Sequence, residues 1–218
     1  MEFDQEYEEL LSKAKSDPET VDFQELRLVY ARSSHYSPYH TPAGDQSSWE
    51  QLIRQTDGQA ALRAVDGRLD QNYLDVESHL LAAFVYGRMD ETTKADYHRR
   101  FGGGLLESIL NSGDGQTPET AFTVIIVAEE YAVLGYLGLE LRSQALVEGE
   151  GHYFDEMHVH HRQTGKDSTL YFNIDIPHAW LDRQIDEDPG ALLASLDVLS
   201  GHAGREVPTN RKWWQFWR

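Results

Sequence analysis

Apolar positions in the first half of the chain recur at helical spacing, and from Ala121 onward at strand spacing. "EFDQEYEELLSKAK" sets Phe3, Tyr7, Leu10 and Leu11 at i, i+4, i+7 and i+8, which predicts an amphipathic helix ended by Asp17-Pro18. "DFQELRLVYARS" repeats the spacing with Phe23, Leu26 and Tyr30. "SPYHTPAGD" reads as a turn-rich loop, packed in part by Tyr36 and Tyr39, and "SSWEQLIRQ" as a helix capped by Ser47 or Ser48. "DGQAALRAVDGRL" and "YLDVESHLLAAFVYGRM" then predict a hairpin of the tetratricopeptide kind, with Ala60, Ala61, Ala64 and Gly67 opposite Leu81, Phe84 and Val85. The triple glycine Gly102–Gly104 is expected to separate "KADYHRRF" from "LLESILNS", as a hinge or a close-packing site. It lacks the preceding strand and the Gly-Lys-Ser/Thr of a phosphate loop.

In the second half, "AFTVIIV" is apolar on both faces and reads as a central, covered strand. "EEYAVLGYL" predicts a short helix with Tyr131, Leu134 and Leu137 in one stripe. Two strands follow, "GHYFDEMHVHHR" and "STLYFNID". A two-residue Thr164-Gly165 turn would pair Gln163 with Lys166, Met157 with Phe172, Val159 with Leu170, and Arg162 with Asp167. One face is then apolar, and the other carries Glu156, His158, His160, Thr169, Tyr171, Asn173 and Asp175. Pro177 opens "PHAWLDRQI", and a last helix, "PGALLASLDVLS", leads into the linker "GHAGREVPTN". The expectation is one α+β domain over 1–200, with a helical lobe at about 1–112 packed with a small, mainly antiparallel sheet and C-terminal helices at about 113–200.

Three of these segments carry a resemblance. "DFQELRLVYARSSHYSPY", "GDGQTPETAFTVIIVAEEYAVLGYLGL" and "LYFNIDIPHAWLDRQ" resemble a family of bacterial proteins known as domain of unknown function 4919, over roughly residues 20–185. Its most specific part is Gly113–Phe122 followed by the Glu129-Glu130-Tyr131 helix. The resemblance implies helices first and a small sheet second, and brings no activity with it.

Charge changes the picture at the C-terminus. The net charge is −18, but Arg211, Lys212 and Arg218 sit in the last eight residues, so residues 1–208 carry 16 basic against 37 acidic groups. Such a body repels nucleic acid and anionic membrane and favours a basic partner. The tail "RKWWQFWR" adds Trp213, Trp214, Phe216 and Trp217, residue types that dominate binding energy at interfaces. Residues 201–210 form a linker reaching about 17 Å if flexible, enough for the tail to leave its own body. The tail is expected to dock on a protein partner with an aromatic-accepting pocket, with fold-back onto its own domain or weak peripheral membrane contact as alternatives.

The chain has no cysteine, so thiolate chemistry and disulfides are excluded. The acidic N-terminus lacks the features of a secretory signal, and no apolar run nears membrane-spanning length, so the expected compartment is the cytoplasm. No nucleophile motif is present and no motif calls for a cofactor. His158 and His160, two apart on one strand face, are candidate metal ligands, with Asp175, Glu156 or His152 as a third. "GDGQTPETAF" reads as a glycine turn into the sheet, with backbone N–H groups for an anion as the alternative. Two functions follow as expectations. The first is a non-enzymatic cytoplasmic interaction protein, an adaptor or an immunity-type neutralising binder. The second is a metal-dependent or anion-binding enzyme using the His158/His160/Asp175 face.

Overall fold

The computed structural model describes residues 2–39 and 58–187. The predicted helices at "SSWEQLIRQ" and "PGALLASLDVLS", the loop from His40 onward, and the tail Arg211–Arg218 lie outside the described residues. The described elements are α+β: seven α-helices and a four-stranded mixed sheet. They divide into two compact units, residues 2–36 with 58–108, and residues 37–39 with 109–187.

The first unit is helical. α1 (Glu2–Ser16) ends before Asp17, whose carboxylate accepts the Glu19 N–H and starts the 3-10 turn Pro18–Thr20. α1 buries Tyr7 and Ala14; Phe3, expected on the same stripe, is 40% exposed. α2 (Phe23–Tyr30) is capped by Asp22, which accepts from the Gln24 and Glu25 N–H groups at 2.8 and 3.1 Å. It meets α1 through Tyr7 and Tyr30, whose rings lie 5.2 Å apart.

α3 (Gly58–Leu69) and α4 (Val76–Arg88) form the expected hairpin. Its core is Ala61, Leu62, Val65 and Leu69 against Leu81, Ala82 and Val85, with Ala64 and Phe84 partly buried. Gly67 takes no part, since a Cβ there would meet nothing within 4 Å. Asp75 fastens the turn: it accepts from the Ser78 N–H and hydroxyl and pairs with Arg68 at the end of α3.

α5 (Thr92–Leu110) runs unbroken through Gly102–Gly104. Gly102 and Gly104 therefore serve close packing, and none of the three interrupts the helix. A Cβ on Gly104 would fall 2.3 Å from the Phe23 ring, and one on Gly102 would lie 2.9 Å from His79 Cβ, whereas Gly103 has open space. Gly104→Ala should therefore cost about 1–3 kcal/mol by overpacking, while Gly103→Ala should stabilise by up to about 1 kcal/mol. Urea midpoints of the two variants check both signs.

The second unit holds the sheet, ordered β1-β4-β3-β2. β1 is only Phe122–Thr123, at the sheet edge and parallel to β4, so "AFTVIIV" is not the central strand expected. Val124, Ile125 and Ile126 are buried, but as the chain turns into α6 (Val127–Leu137). Glu129 accepts the Ile125 N–H at 2.8 Å and fixes that turn. Gly138, in the left-handed region, ends α6 and delivers the chain into β2 (Leu139–Gly149). Glu150 and Gly151, both at positive φ, join β2 to β3 (His152–His161) by a two-residue turn. β4 (Lys166–Asn173) leads into α7 (Asp175–Glu187), with Pro177 in its first turn.

The β3–β4 register differs by two from the expected one. Met157 faces Leu170, Val159 faces Ser168, and Asp167 faces His160 instead of Arg162. The cause is a four-residue turn, Arg162 to Gly165. The His161 ring accepts the Gln163 and Thr164 N–H groups there, and Gly165, at φ +67, donates to the His161 carbonyl. A slip of two keeps every side chain on its face, so the division into apolar and polar faces stands.

Candidate functional site

The polar sheet face is a ladder of cross-strand pairs. The Tyr171 hydroxyl donates to Glu156 at 2.9 Å, His158 Nδ1 lies 3.0 Å from the Thr169 hydroxyl, and His160 Nδ1 lies 2.7 Å from Asp167. His158 Nε2 also lies 3.3 Å from Glu156. His158 and Asp167 are exposed, and Glu156, His160, Thr169 and Tyr171 are half-buried. Arg142, His158, His160, Asp167, Ser168 and Thr169 line an open groove of about 710 Å³.

Asp175 does not join them. It sits at the start of α7 and accepts from His152 Nδ1 at 2.6 Å, the Tyr153 N–H at 2.7 Å and Asn173 Nδ2 at 3.0 Å. Partial burial opposes its charge, but these bonds outweigh it and hold the carboxyl below the usual range. Its partner His152 is six residues along β3 from His158, about 20 Å at strand spacing. The proposed third ligand thus locks α7 to the far end of β3. Among the described residues, no group of three or more His, Asp or Glu side chains is placed to hold one metal ion.

The loop "GDGQTPETAF" uses its own donors. The Asp114 and Gly115 N–H groups bond to the Thr120 carbonyl, and Asp114 accepts from the Gln116 N–H and the Thr120 hydroxyl. Gly113 and Gly115 have no room for a Cβ, which would fall 2.3 Å from the Thr120 carbonyl oxygen at the first and 2.5 Å from the Phe122 ring at the second. The turn reading describes it; these N–H groups are not presented to an anion.

Two buried clusters were not anticipated. On the apolar sheet face, Asp155 of β3 meets Glu130 of α6, and Gln144 Nε2 donates to Asp155 at 2.8 Å. Neither Glu130 oxygen receives an N–H or O–H donor from other groups, so its contact with Asp155 requires one carboxyl to be protonated. Burial, then the Asp155 charge, push Glu130 well above the ordinary carboxylate range. Burial also raises Asp155, against the bonds from Glu130 and Gln144. The same charges, after burial itself, push the Tyr39 phenol up, and the Tyr39 ring packs on Trp180 at 5.9 Å.

In the helical unit, the second cluster is aromatic. His79 is fully buried and stacked on Phe101 at 4.2 Å. Its Nε2 lies 2.9 Å from the Tyr73 carbonyl, which only accepts, so Nε2 carries the proton. Neutral His79 then accepts at Nδ1 from His98 Nδ1–H, 3.0 Å away. Burial holds His79 down at about 3 and His98 at about 4.

The carboxyl pair left a sequence signal. Asp155 stands at an apolar-face position between Tyr153 and Met157, and Glu130 stands three, four and seven residues before Val133, Leu134 and Leu137. A carboxylate in an apolar register on each of two elements marks a buried pair.

No curated protein and no solved structure matches the chain. A family profile does, over residues 2–181, which extends the resemblance in "DFQELRLVYARSSHYSPY" and the later segments back through α1. The chain belongs to the family of the domain of unknown function DUF4919.

Proposed function

We propose that this protein is a non-enzymatic cytoplasmic interaction protein, an adaptor or an immunity-type neutralising binder. Its acidic body meets a basic partner, and its C-terminal Trp/Arg tail is a second docking element. The observation that carries this reading is the polar face of β3 and β4. Its side chains are half-buried to exposed, and they bond to each other in His–Thr, His–Asp and Tyr–Glu pairs. That arrangement suits recognition by a partner surface, where exposed polar groups fix orientation, better than it suits attack on a substrate. The net charge of −18 supports the basic partner and disfavours nucleic acid. The tail's part, including the alternative of weak membrane contact, rests on its sequence alone. Among the described residues no helix is long and apolar enough to cross a membrane.

One observation favours the enzyme reading: the groove places Arg142 beside His158 and His160, three groups that attract an anion. Photo-cross-linking from position 171 of the full-length chain in its own cells separates the two. The interaction reading expects one dominant protein adduct, lost in a Glu156→Lys/Asp167→Lys variant. Turnover of a small anionic substrate, lost in His160→Ala with no protein adduct from this face, would replace it.

A further inference from the structure

β2 is a sheet edge with an unusual composition. It spans 11 residues, from Leu139 to Gly149, and pairs only with β3; no strand pairs with its outer side among the described residues. An unpaired edge presents a row of backbone N–H and C=O groups, and proteins normally guard it with charge, proline, a bulge or brevity. Here the guards stand at the two ends, an irregularity with Arg142 at the start and Glu148 near the close, with an unguarded stretch between. The register shifts between Leu141 and Ser143, and Arg142 sits at that irregularity. Ser143, Gln144, Ala145, Leu146 and Val147 then run in regular register with no charge and no proline, and Leu146 is 59% exposed. Regular pairing continues to Gly149, about 23 Å of free edge at strand spacing.

The charges around this stretch point to the occupant. Glu140, Glu148 and Glu150 stand on β2 and its turn, and Glu156 lies opposite Ala145 on β3. Arg142, the one cation within β2 itself, lies 3.4 Å from Glu140. A second copy would bring the same acids and another −18 to the edge.

We propose that the Ser143–Gly149 edge of β2 accepts an extended, basic segment of a partner protein as a fifth strand. Backbone hydrogen bonds supply the affinity, and the flanking glutamates select lysine- or arginine-bearing strands. This rests on the reading of the protein as a binder of basic partners and names the surface used.

The test uses the full-length chain and an acetylated, amidated decapeptide of alternating lysine and valine. Binding is followed by fluorescence anisotropy, and amide hydrogen exchange is read residue by residue. Peptide binding is expected to slow exchange at least tenfold at alternate amides of Ser143–Gly149. Ala145→Lys, at an exposed position, should weaken binding at least tenfold, and a fully N-methylated peptide should not bind. Equal binding of the N-methylated peptide, protection elsewhere, or no binding at all overturns the proposal. So does self-association through β2 that Ala145→Lys abolishes, which would make a second copy the occupant. Binding seen only when Trp213, Trp214 and Trp217 are changed to alanine would assign the edge to the chain's own tail. If β2 stays unprotected while the partner still cross-links to the β3–β4 face, this proposal fails and the interaction reading stands.

Discussion

Acidifying the full-length chain from pH 7 to pH 4 is expected to destabilise the helical unit steeply, because His79 must stay neutral where it is. Its Nε2–H is committed to the Tyr73 carbonyl, and its Nδ1 lone pair to His98. A proton on Nδ1 would face the donor of its neighbour and charge a ring stacked on Phe101 with no acid among its bonding partners. The folded value, about 3, lies below the ordinary value of 6.5. The unfolded chain therefore takes up a proton first, and the stabilisation, complete above about pH 6.5, is lost as pH falls. At about 1.4 kcal/mol per pH unit, His79 alone removes on the order of 3 kcal/mol by pH 4. His98, held at about 4 and only partly buried, adds a smaller loss of the same sign. The stability of the helical unit, read from its own amide hydrogen exchange between pH 7 and 4.5, should fall accordingly. Nitrogen-15 spectra at pH 5 should show His79 as the neutral Nε2–H tautomer. A helical-unit stability that stays flat over that range, or His79 charging near pH 6.5, would contradict this packing.

Glu130→Gln should have the opposite signature, raising stability at pH 7 to 9 and flattening its dependence on pH in the sheet-containing unit. Wild-type Glu130 is buried beside Asp155 and retains its proton well above 4.5. A raised folded value means that stability is complete below about pH 4.5 and declines as pH rises, until Glu130 ionises in the folded chain. The decline is about 1.4 kcal/mol per pH unit for one proton. Glutamine keeps the shape, supplies a permanent N–H donor to Asp155 and has no proton to lose. Hydrogen exchange resolved by unit is the suitable readout, since the two units respond to pH in opposite directions and a global midpoint averages them. Unchanged exchange of α6 and β3 amides in Glu130→Gln at pH 9 would show that the pair carries no such cost.

Periodicity carried the helical half well. The stripes in "DFQELRLVY" and "DGQAALRAV" depend on local spacing, and the α3–α4 hairpin core lies close to where they place it. It misled where tertiary context decides. "AFTVIIV" is apolar throughout because it is buried, and burial alone does not distinguish a strand from a chain turning into a helix. β2 went unread because the irregularity at Arg142 breaks the alternation begun by Leu139, Glu140 and Leu141. The faces of β3 and β4 were legible even though their register was not, since the extra turn residues came as a pair. For the candidate site, His158 and His160 share a face as expected, while Asp175 was placed with them by parity alone. Parity fixes a face but not a position along the strand, and Asp175 lies beyond the end of β4, bonded to His152.

These features bear on how the protein would work. Packing holds Glu130, His79 and His98 neutral near pH 7 and commits each to a buried neighbour. Charged side chains also line the polar face of β3 and β4 and flank the free edge of β2.

Hydrogen–deuterium exchange of the full-length chain, alone and with its cross-linked partner, tests the interaction reading most directly. The account predicts protection of the β2–β4 amides, including Ser143–Gly149 and His158–Thr169, with the α3–α4 hairpin unchanged. Protection confined to the helical unit, or slowed exchange around the Arg142–His158–His160 groove by a small anion that the chain converts to product, would contradict it.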